Sequence, residues 1–248
     1  MTVHDTTVKP AGAIAPLTNV SLFAELVERV MDRHRSLPAI GAFYGPSGFG
    51  KTFAATYGAH KRRAYYVEVG ESWTKAKFCK ALLTELGVPP RGTIGDMVEV
   101  IIRHLMETAR PLIIDEADHI VKRGYVETLR EIHDKSGAPI LLIGEELLPH
   151  KLQVWERFHN RVLDWVPAQP CDLRDVGLLA RVYAPGVAIA EDLAMLLLTK
   201  SEARARRVAV NLDRVREFAM LEGRDAVDAA AWGDRALFTG AAPARRVS

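Results

Sequence analysis

The chain has 248 residues, with 33 Lys and Arg against 31 Asp and Glu and a formal net charge of +2. Its length allows one large domain, or one domain with a small companion, and an apolar share of 48% is enough for a full core. The near-neutral charge excludes a globally basic nucleic-acid binder, so any surface for DNA has to be local.

Cysteine usage and hydropathy exclude further classes. Cys79 and Cys171 stand far apart, which argues against a disulfide framework or a zinc site and predicts a reducing, cytoplasmic compartment. No apolar run reaches the length of a membrane span, and the N-terminus lacks a signal-peptide core, so no membrane contact is expected. The histidines, including His133, show no metal-ligand spacing and are interpreted as surface residues.

The N-terminal part of the chain changes character near residue 19. Residues 1–18 contain proline and glycine without periodicity and predict a flexible arm. Apolar residues at helical spacing then predict a helix to about residue 35, with Asn19 or Ser21 as its cap. A short apolar run at 39–44 predicts the first strand.

A glycine-rich loop follows this strand and is followed in turn by a predicted helix. Residues 45–52, GPSGFGKT, match the phosphate-loop pattern G-x-x-x-x-G-K-[ST] at every fixed position. Glycines let the backbone N–H groups approach a phosphate, and the helix offers its positive end to the same anion. We predict an ATP site whose lysine reaches the β- and γ-phosphates and whose threonine holds Mg²⁺. The predicted site comprises Gly45, Pro46, Ser47, Gly48, Phe49, Gly50, Lys51, Thr52 and Phe53.

Three lysines mark the next predicted helix, residues 73–86, which follows a strand at 64–69. Lys75, Lys77 and Lys80 lie on or near the faces left by its apolar stripe. They form either an ordinary solvated face or a surface for DNA phosphates, with Trp73 assisting. The sequence leaves both interpretations open.

A second nucleotide motif comes after a helix that begins with a capping box at 93–96 and runs to about 109. Residues 112–116, LIIDE, form an apolar strand that ends in two acids, typical of a central parallel strand. After a phosphate loop, this pattern predicts Asp115 in the Mg²⁺ shell and Glu116 as the general base that polarises the attacking water. Asp118 is interpreted as structural.

Alternating elements continue to the end of the predicted core. A helix at 125–135 closed by Gly137, a strand at 138–144, helices from 145 or 146 and at about 151–160, and a strand at 162–166 follow. The alternation predicts an α/β P-loop fold with a parallel sheet over residues 19–168, and ligands at the strands' carboxyl ends. Helices at 172–183, 190–199, 203–221 and 225–238 predict an all-helical lid over 169–239, before a disordered tail at 240–248.

This ATP-binding core with a helical lid resembles the AAA+ ATPases over about residues 21–238. Within that class, the strand ending LLIGEELL at 141–148 and the segment RFHNRV at 157–162 resemble the MuB-type target activators of DNA transposition and related insertion-sequence helpers. The resemblance implies subunits assembled head to tail in a filament or ring, in the cytoplasm of a bacterial host. It also implies a trans-acting arginine, Arg161 or Arg157, of which Arg161 is preferred because it immediately precedes the last strand.

The resemblance implies two further positions. Arg206, within ARRV at 205–208, occupies the sensor-2 segment and would reach the γ-phosphate of its own subunit. Glu145 and Glu146 depart from the Thr or Asn that many relatives carry at the sensor-1 position, and an acid beside a triphosphate is unfavourable. Each arginine has an alternative interpretation as an ordinary basic surface residue.

The predicted function is an ATPase with ATP and Mg²⁺ as ligands that binds duplex DNA without sequence preference, oligomerises on it and delivers it to a transposase. Hydrolysis would drive disassembly. Alternatives are a helicase loader or replication initiator, a secretion-type helper ATPase and, more weakly, a small-molecule kinase.

Overall fold

The computed structural model describes residues 17–241, so most of the predicted arm and tail lies outside the described residues. The chain divides into two compact units, one over Thr18–Pro170 and one that contains Leu17 and the residues from Cys171 onward. In the described part, no helix is both long and apolar enough to cross a bilayer.

The first unit is built on a five-stranded sheet in the order β2-β3-β4-β1-β5, with every neighbouring pair parallel. β3 and β4 are buried along their whole length, because they are apolar apart from Asp115 at the end of β3 and have a strand on each side. The predicted parallel α/β sheet is therefore confirmed. The strands are β1 Ile40–Tyr44, β2 Tyr65–Glu68, β3 Leu112–Asp115, β4 Ile140–Gly144 and β5 Val162–Pro167.

Helices connect the strands, and local sequence fixes their ends. Thr93 and Asp96 form the predicted capping box, in which the Thr93 hydroxyl accepts from the Asp96 N–H and the Asp96 carboxylate accepts from the Thr93 N–H. Gly137 ends a helix in the left-handed conformation, at φ 65°. The helices are α1 Thr18–Met31, α2 Lys51–Arg62, α3 Lys75–Glu85, α4 Ile94–Thr108, α5 Asp118–Arg123, α6 Val126–Ser136, α7 Leu148–Gln153 and α8 Glu156–His159.

Two stretches differ from the sequence-based expectation. The short helix α5 was not predicted, because six residues without a side-chain cap carry too little periodicity to be recognised. The pair α7 and α8 breaks at Val154 and Trp155, not near residue 150, since Pro149 fits the first turn of a helix that starts at Leu148.

The second unit is helical but not all-helical, which corrects the lid prediction. Its elements are α9 Leu173–Tyr183, β6 Ala188–Ile189, α10 Glu191–Lys200, α11 Ala205–Glu222, β7 Ala226–Val227 and α12 Ala229–Trp232. The predicted helix at 225–238 fails because its first residues pair with β6 as a parallel ladder. Farther on, Phe238 exchanges backbone hydrogen bonds with the buried Asn211 amide, at 2.7 and 3.0 Å.

His133 is buried, contrary to the expectation of a surface residue. Its Nε2 accepts the Ala39 N–H at 3.2 Å, so Nδ1 carries the proton and donates it to Asp134 at 3.0 Å. Burial lowers the pKa of His133, and the charges of Arg33 and Arg161 act in the same direction against the opposing Asp134. The imidazole is therefore neutral in the folded protein.

We expect stability to fall as the pH drops below the ordinary histidine pKa of about 6.5, because the unfolded chain takes up a proton that native His133 resists. Urea denaturation at pH 8 and pH 5.5 measures this loss. His133→Gln should show a smaller loss between the two pH values, whereas His150→Gln, at an exposed position, should behave like the wild type. An identical pH response in wild type and His133→Gln would contradict the assignment.

Candidate nucleotide-binding site

Strand order gathers the two nucleotide motifs at one edge of the sheet. β4 lies between β1 and β3, so the loop after β1, the acids after β3 and the turn after β4 are neighbours. Backbone hydrogen bonds join them, since Gly45 N–H donates to Gly144 O and Ala117 N–H to Ile143 O. The carboxyl edge of a parallel sheet is where such folds place their ligands.

The phosphate loop has the backbone conformation that its glycines predict. Gly48 and Gly50 have φ values of 86° and 81°, a region that favours glycine. Gly50 is also the N-cap of α2 and has no side chain to satisfy the first N–H groups of that helix. An anion seated on the loop would therefore meet backbone donors and the positive end of α2 together.

Lys51 lies across the loop. Its ammonium donates to Gly45 O at 2.7 Å and to Pro46 O at 3.0 Å. Burial lowers its pKa, while the carboxylates of Glu116 and Asp115 oppose that shift. The lysine is thus a half-buried cation facing the two acids, in position to contact a phosphate on the loop.

Asp115 offers a site that fits a divalent cation. The residue is only 2% exposed, and its hydrogen-bond partners are neutral, the Glu116 N–H and the Tyr66 hydroxyl, each at 2.8 Å. A buried carboxylate held by neutral donors gains from a nearby cation. Its oxygens and the exposed Thr52 hydroxyl are ligand types that Mg²⁺ accepts. Among residues 17–241 no group of three or more His, Cys, Asp or Glu could share a metal, so phosphate and water oxygens would complete the shell.

Glu116, the residue after Asp115, has an unusual backbone conformation and a raised pKa. Its φ of 54° places a non-glycine residue in the left-handed region, which is uncommon and clusters at functional sites. Burial raises its pKa, and the negative charge of Asp115 raises it further. A carboxylate with a raised pKa is a better proton acceptor, as a general base requires.

Asp118 has a structural role, as the sequence suggested. One carboxylate oxygen accepts the Glu145 N–H at 2.7 Å, and the other accepts Lys151 Nζ at 2.7 Å. Lys151 also pairs with Glu145 at 3.0 Å. The sensor-1 position is therefore part of an ion-pair network, in which the Glu145 charge is balanced by a lysine.

Asn19 supports the phosphate loop, a role that sequence reasoning missed by treating it as a possible helix cap. Its buried amide donates to Phe49 O and to Gln169 O, both at 2.8 Å, and its oxygen accepts the Gln169 N–H at 2.8 Å. One side chain thus joins the loop to the segment after β5. No local signal reveals this, because the partners lie 30 and 150 residues away.

The candidate trans-acting arginines lie away from this edge. Arg161 precedes β5, at the amino-terminal end of the sheet, about 16 Å along the strands from the phosphate loop. Its guanidinium pairs with Asp134 at 3.0 and 3.2 Å. Arg157 is exposed on α8. Neither lies beside its own subunit's phosphate loop, and any role in catalysis would have to be played on another copy.

The Asp134 carboxylate, the partner of Arg161, accepts hydrogen bonds from several side chains. Burial works to raise its pKa, but hydrogen bonds from Arg161, His133 and Arg130 outweigh burial and lower the pKa to about 2. The carboxylate is therefore ionised at any physiological pH.

Arg206, the candidate sensor-2 residue, is exposed in the first turn of α11 in the second unit.

The lysines of α3 are all exposed, and the apolar residues on the other side of the helix are buried. Lys77 Nζ lies 5.6 Å from the centre of the half-buried Trp73 ring, within cation–π range. Contact with the phosphate backbone of DNA requires solvent access, and Lys75, Lys77 and Lys80 have it.

The site and the sheet order together define a protein with the AAA+ P-loop NTPase fold. A family model described as an AAA domain matches residues 33–152, which contain both nucleotide motifs. A comparison with curated proteins found no match.

Solved structures with the same fold include ORC and Cdc6 proteins. The ORC2 protein of Aeropyrum pernix, solved with ADPNP and ADP, has a TM-score of 0.61 and 15% identity, covering 90% of this chain and 68% of its own. The ORC1 protein of the same organism, in complex with DNA, has a TM-score of 0.61 and 19% identity, covering 88% and 63%. Cdc6p of Pyrobaculum aerophilum has a TM-score of 0.59 and 15% identity, covering 90% and 66%.

These comparisons establish the fold, and membership of the MuB-type family that the sequence resembles stays a prediction. The chain spans about two thirds of the length of each of the three structures. Identity below 20% carries no information about which molecules this chain binds.

Replacing Asn19 by Ala should weaken nucleotide binding, because it leaves the Phe49 and Gln169 backbone groups without their partner. The expected cost to stability is about 1–3 kcal/mol, typical of buried polar groups left unsatisfied. Titration with a fluorescent ATP analogue and urea denaturation measure the two effects. Ser21→Ala, at an exposed position of the same helix, is the matched control. Equal behaviour of the two variants would contradict the bridging role.

Proposed function

We propose that this protein binds ATP with Mg²⁺ and hydrolyses it to ADP and phosphate. The observation that carries the proposal is the convergence of the phosphate loop with Asp115 and Glu116 at adjacent strand ends. The loop N–H groups and Lys51 would hold the phosphates. Thr52 and Asp115 would hold Mg²⁺, which supplies neutralisation of the charge that develops on the phosphate oxygens.

Glu116 acts in this proposal as the general base toward water. Its raised pKa suits it to accept a proton from the attacking water, and its left-handed backbone aims it differently from Asp115. A carboxylate beside the metal ligand favours water, over the hydroxyl of a small molecule, as the acceptor of the phosphoryl group. A small-molecule kinase is therefore the weaker alternative.

We further propose that ATP joins neighbouring copies of the chain. Arg161 would leave Asp134 and contact the γ-phosphate bound to the next subunit, with Arg157 as the alternative. Arg161 lies at the amino-terminal ends of the strands, whereas the phosphate loop of the same subunit lies at their carboxyl ends. This separation supports a role for Arg161 at the site of another subunit. Arg206 would contact the γ-phosphate from within the same subunit. Hydrolysis removes these contacts and loosens the assembly.

Duplex DNA is the proposed partner of the assembled form. Each subunit offers only a few exposed lysines on α3, so tight binding would come from many subunits acting together. Contacts to phosphates alone carry no base information, so binding would be independent of sequence.

The two leading destinations for the bound DNA are delivery to a transposase and loading of a replicative helicase. The resemblance of the segments at 141–148 and 157–162 to the transposition helpers supports the first. The fold shared with ORC and Cdc6 proteins, one of them solved on DNA, supports the second.

Electron microscopy of the protein on duplex DNA with ATP or ADP tests the ATP-dependent assembly on DNA that both alternatives share. Filaments or rings that need ATP support it. A monomer under both conditions would contradict it. Stimulation of hydrolysis by a purified transposase or by a helicase then separates the two destinations.

The Glu116→Gln variant should bind ATP normally and hydrolyse it about 10²- to 10⁴-fold more slowly, because the proton acceptor is lost. Assemblies on labelled duplex should therefore persist after a chase with excess unlabelled DNA. Phosphate release and retained fluorescence are the measurements. Lys51→Ala is the contrasting variant, which should lose nucleotide binding and never assemble. Fast hydrolysis by Glu116→Gln would remove Glu116 from the mechanism.

Replacing Lys75, Lys77 and Lys80 together by Ala should lower DNA affinity equally for all sequences and flatten the dependence of affinity on salt. Fluorescence anisotropy over a salt series gives both quantities. Lys61, Lys135 and Lys200 are exposed on other elements, and their triple Ala variant carries the same change of charge. A salt slope lowered equally in both variants would place the DNA surface elsewhere than α3.

A further inference from the structure

The hydroxyl of Tyr66 contacts the acid that the proposed function assigns to the metal shell. Tyr66 lies on β2 opposite Ile113 of β3, so its side chain shares a face of the sheet with Asp115, two residues farther along β3. The hydroxyl donates to Asp115 Oδ2 at 2.8 Å. The contact crosses between strands, and the two residues are 49 positions apart in the chain.

Tyr66 and one backbone group together fix the Asp115 carboxylate. Oδ1 accepts the Glu116 N–H, and Oδ2 accepts the Tyr66 hydroxyl, both at 2.8 Å. Two donors on different oxygens define the plane of the carboxylate, and each oxygen keeps a lone pair for a metal ion or its water. Groups that orient a metal ligand in this way change metal affinity by about 10- to 100-fold when removed.

We propose that Tyr66 is a positioning residue that sets the Mg²⁺ requirement of the nucleotide site by holding the Asp115 carboxylate in its binding orientation. The proposal rests on the Mg²⁺-ATP site described under Proposed function. The described hydrogen bond of the Tyr66 hydroxyl goes to Asp115, whereas the phosphate-loop carbonyls accept from the Lys51 ammonium and the Asn19 amide. Loss of the Tyr66 hydroxyl should therefore affect binding with Mg²⁺ and leave binding without Mg²⁺ unchanged.

The neighbouring tyrosine supplies a matched control. Tyr65 is on the same strand with its side chain on the opposite face, and its hydroxyl pairs with His104 Nε2 at 2.9 Å. Tyr65→Phe and Tyr66→Phe each remove one hydroxyl and one hydrogen bond from β2. Only the second removes a bond to Asp115.

The experiment is a Mg²⁺ titration of binding of a fluorescent ATP analogue to the full chain, with thermal unfolding measured alongside. Tyr66→Phe should raise the Mg²⁺ midpoint about tenfold, and Tyr65→Phe should leave it at the wild-type value. Binding in EDTA should be the same for all three proteins. In an Asp115→Asn background, Tyr66→Phe should cause no further shift, because the two residues act as a unit.

The outcomes distinguish failure of the Tyr66 proposal from failure of the proposed Mg²⁺-ATP site. A wild type whose nucleotide binding does not respond to Mg²⁺ would overturn the metal site itself. A wild type that responds, with midpoints unchanged in Tyr66→Phe or raised equally in both tyrosine variants, would overturn the role of Tyr66 alone. A further shift in the Asp115→Asn background would also overturn it, because Tyr66 would then act through another group.

Discussion

The parallel pairing of β1, β4 and β3 is the constraint on which the site depends. Each of these strands is short and mostly apolar and buried, and each is followed by a loop or turn at its carboxyl end. Pairing them in parallel sends all three ends to one edge, where a glycine loop, two acids and a glycine turn meet. The chemistry at that edge is thus a consequence of burying the strands.

Three aspartates show how partners give one residue type different roles. Asp115 accepts hydrogen bonds from neutral donors, and its carboxylate oxygens are free of any direct ion pair among the described residues. Asp118 is balanced by Lys151 and braces the sensor-1 turn. Asp134 is balanced by arginines at the opposite edge of the sheet. Asp118 and Asp134 pair directly with internal cations, whereas the hydrogen-bond donors to the buried Asp115 are neutral and leave it arranged for an external cation.

The ion pair of Arg161 with Asp134 bears on how the proposed assembly would be controlled. An arginine that serves a neighbour has to exchange one anion for another, so the cost of leaving Asp134 offsets part of the gain from the γ-phosphate. Such an exchange would keep the proposed assembly weak without ATP and would make it sensitive to hydrolysis.

The sequence by itself determined the parallel sheet and the loop of residues 45–52, because strand hydropathy, glycine spacing and the capping box of Thr93 and Asp96 are local signals. The roles of Asn19, Tyr66 and His133 were decided by tertiary structure, since each acts through a partner at least 30 residues away. The failed helix at 225–238 has the same cause, because pairing with β6 is a distant interaction that overrides local helix propensity. Local patterns specify most of the elements, whereas packing decides the rest and brings together the side chains that position the acids and the phosphate loop.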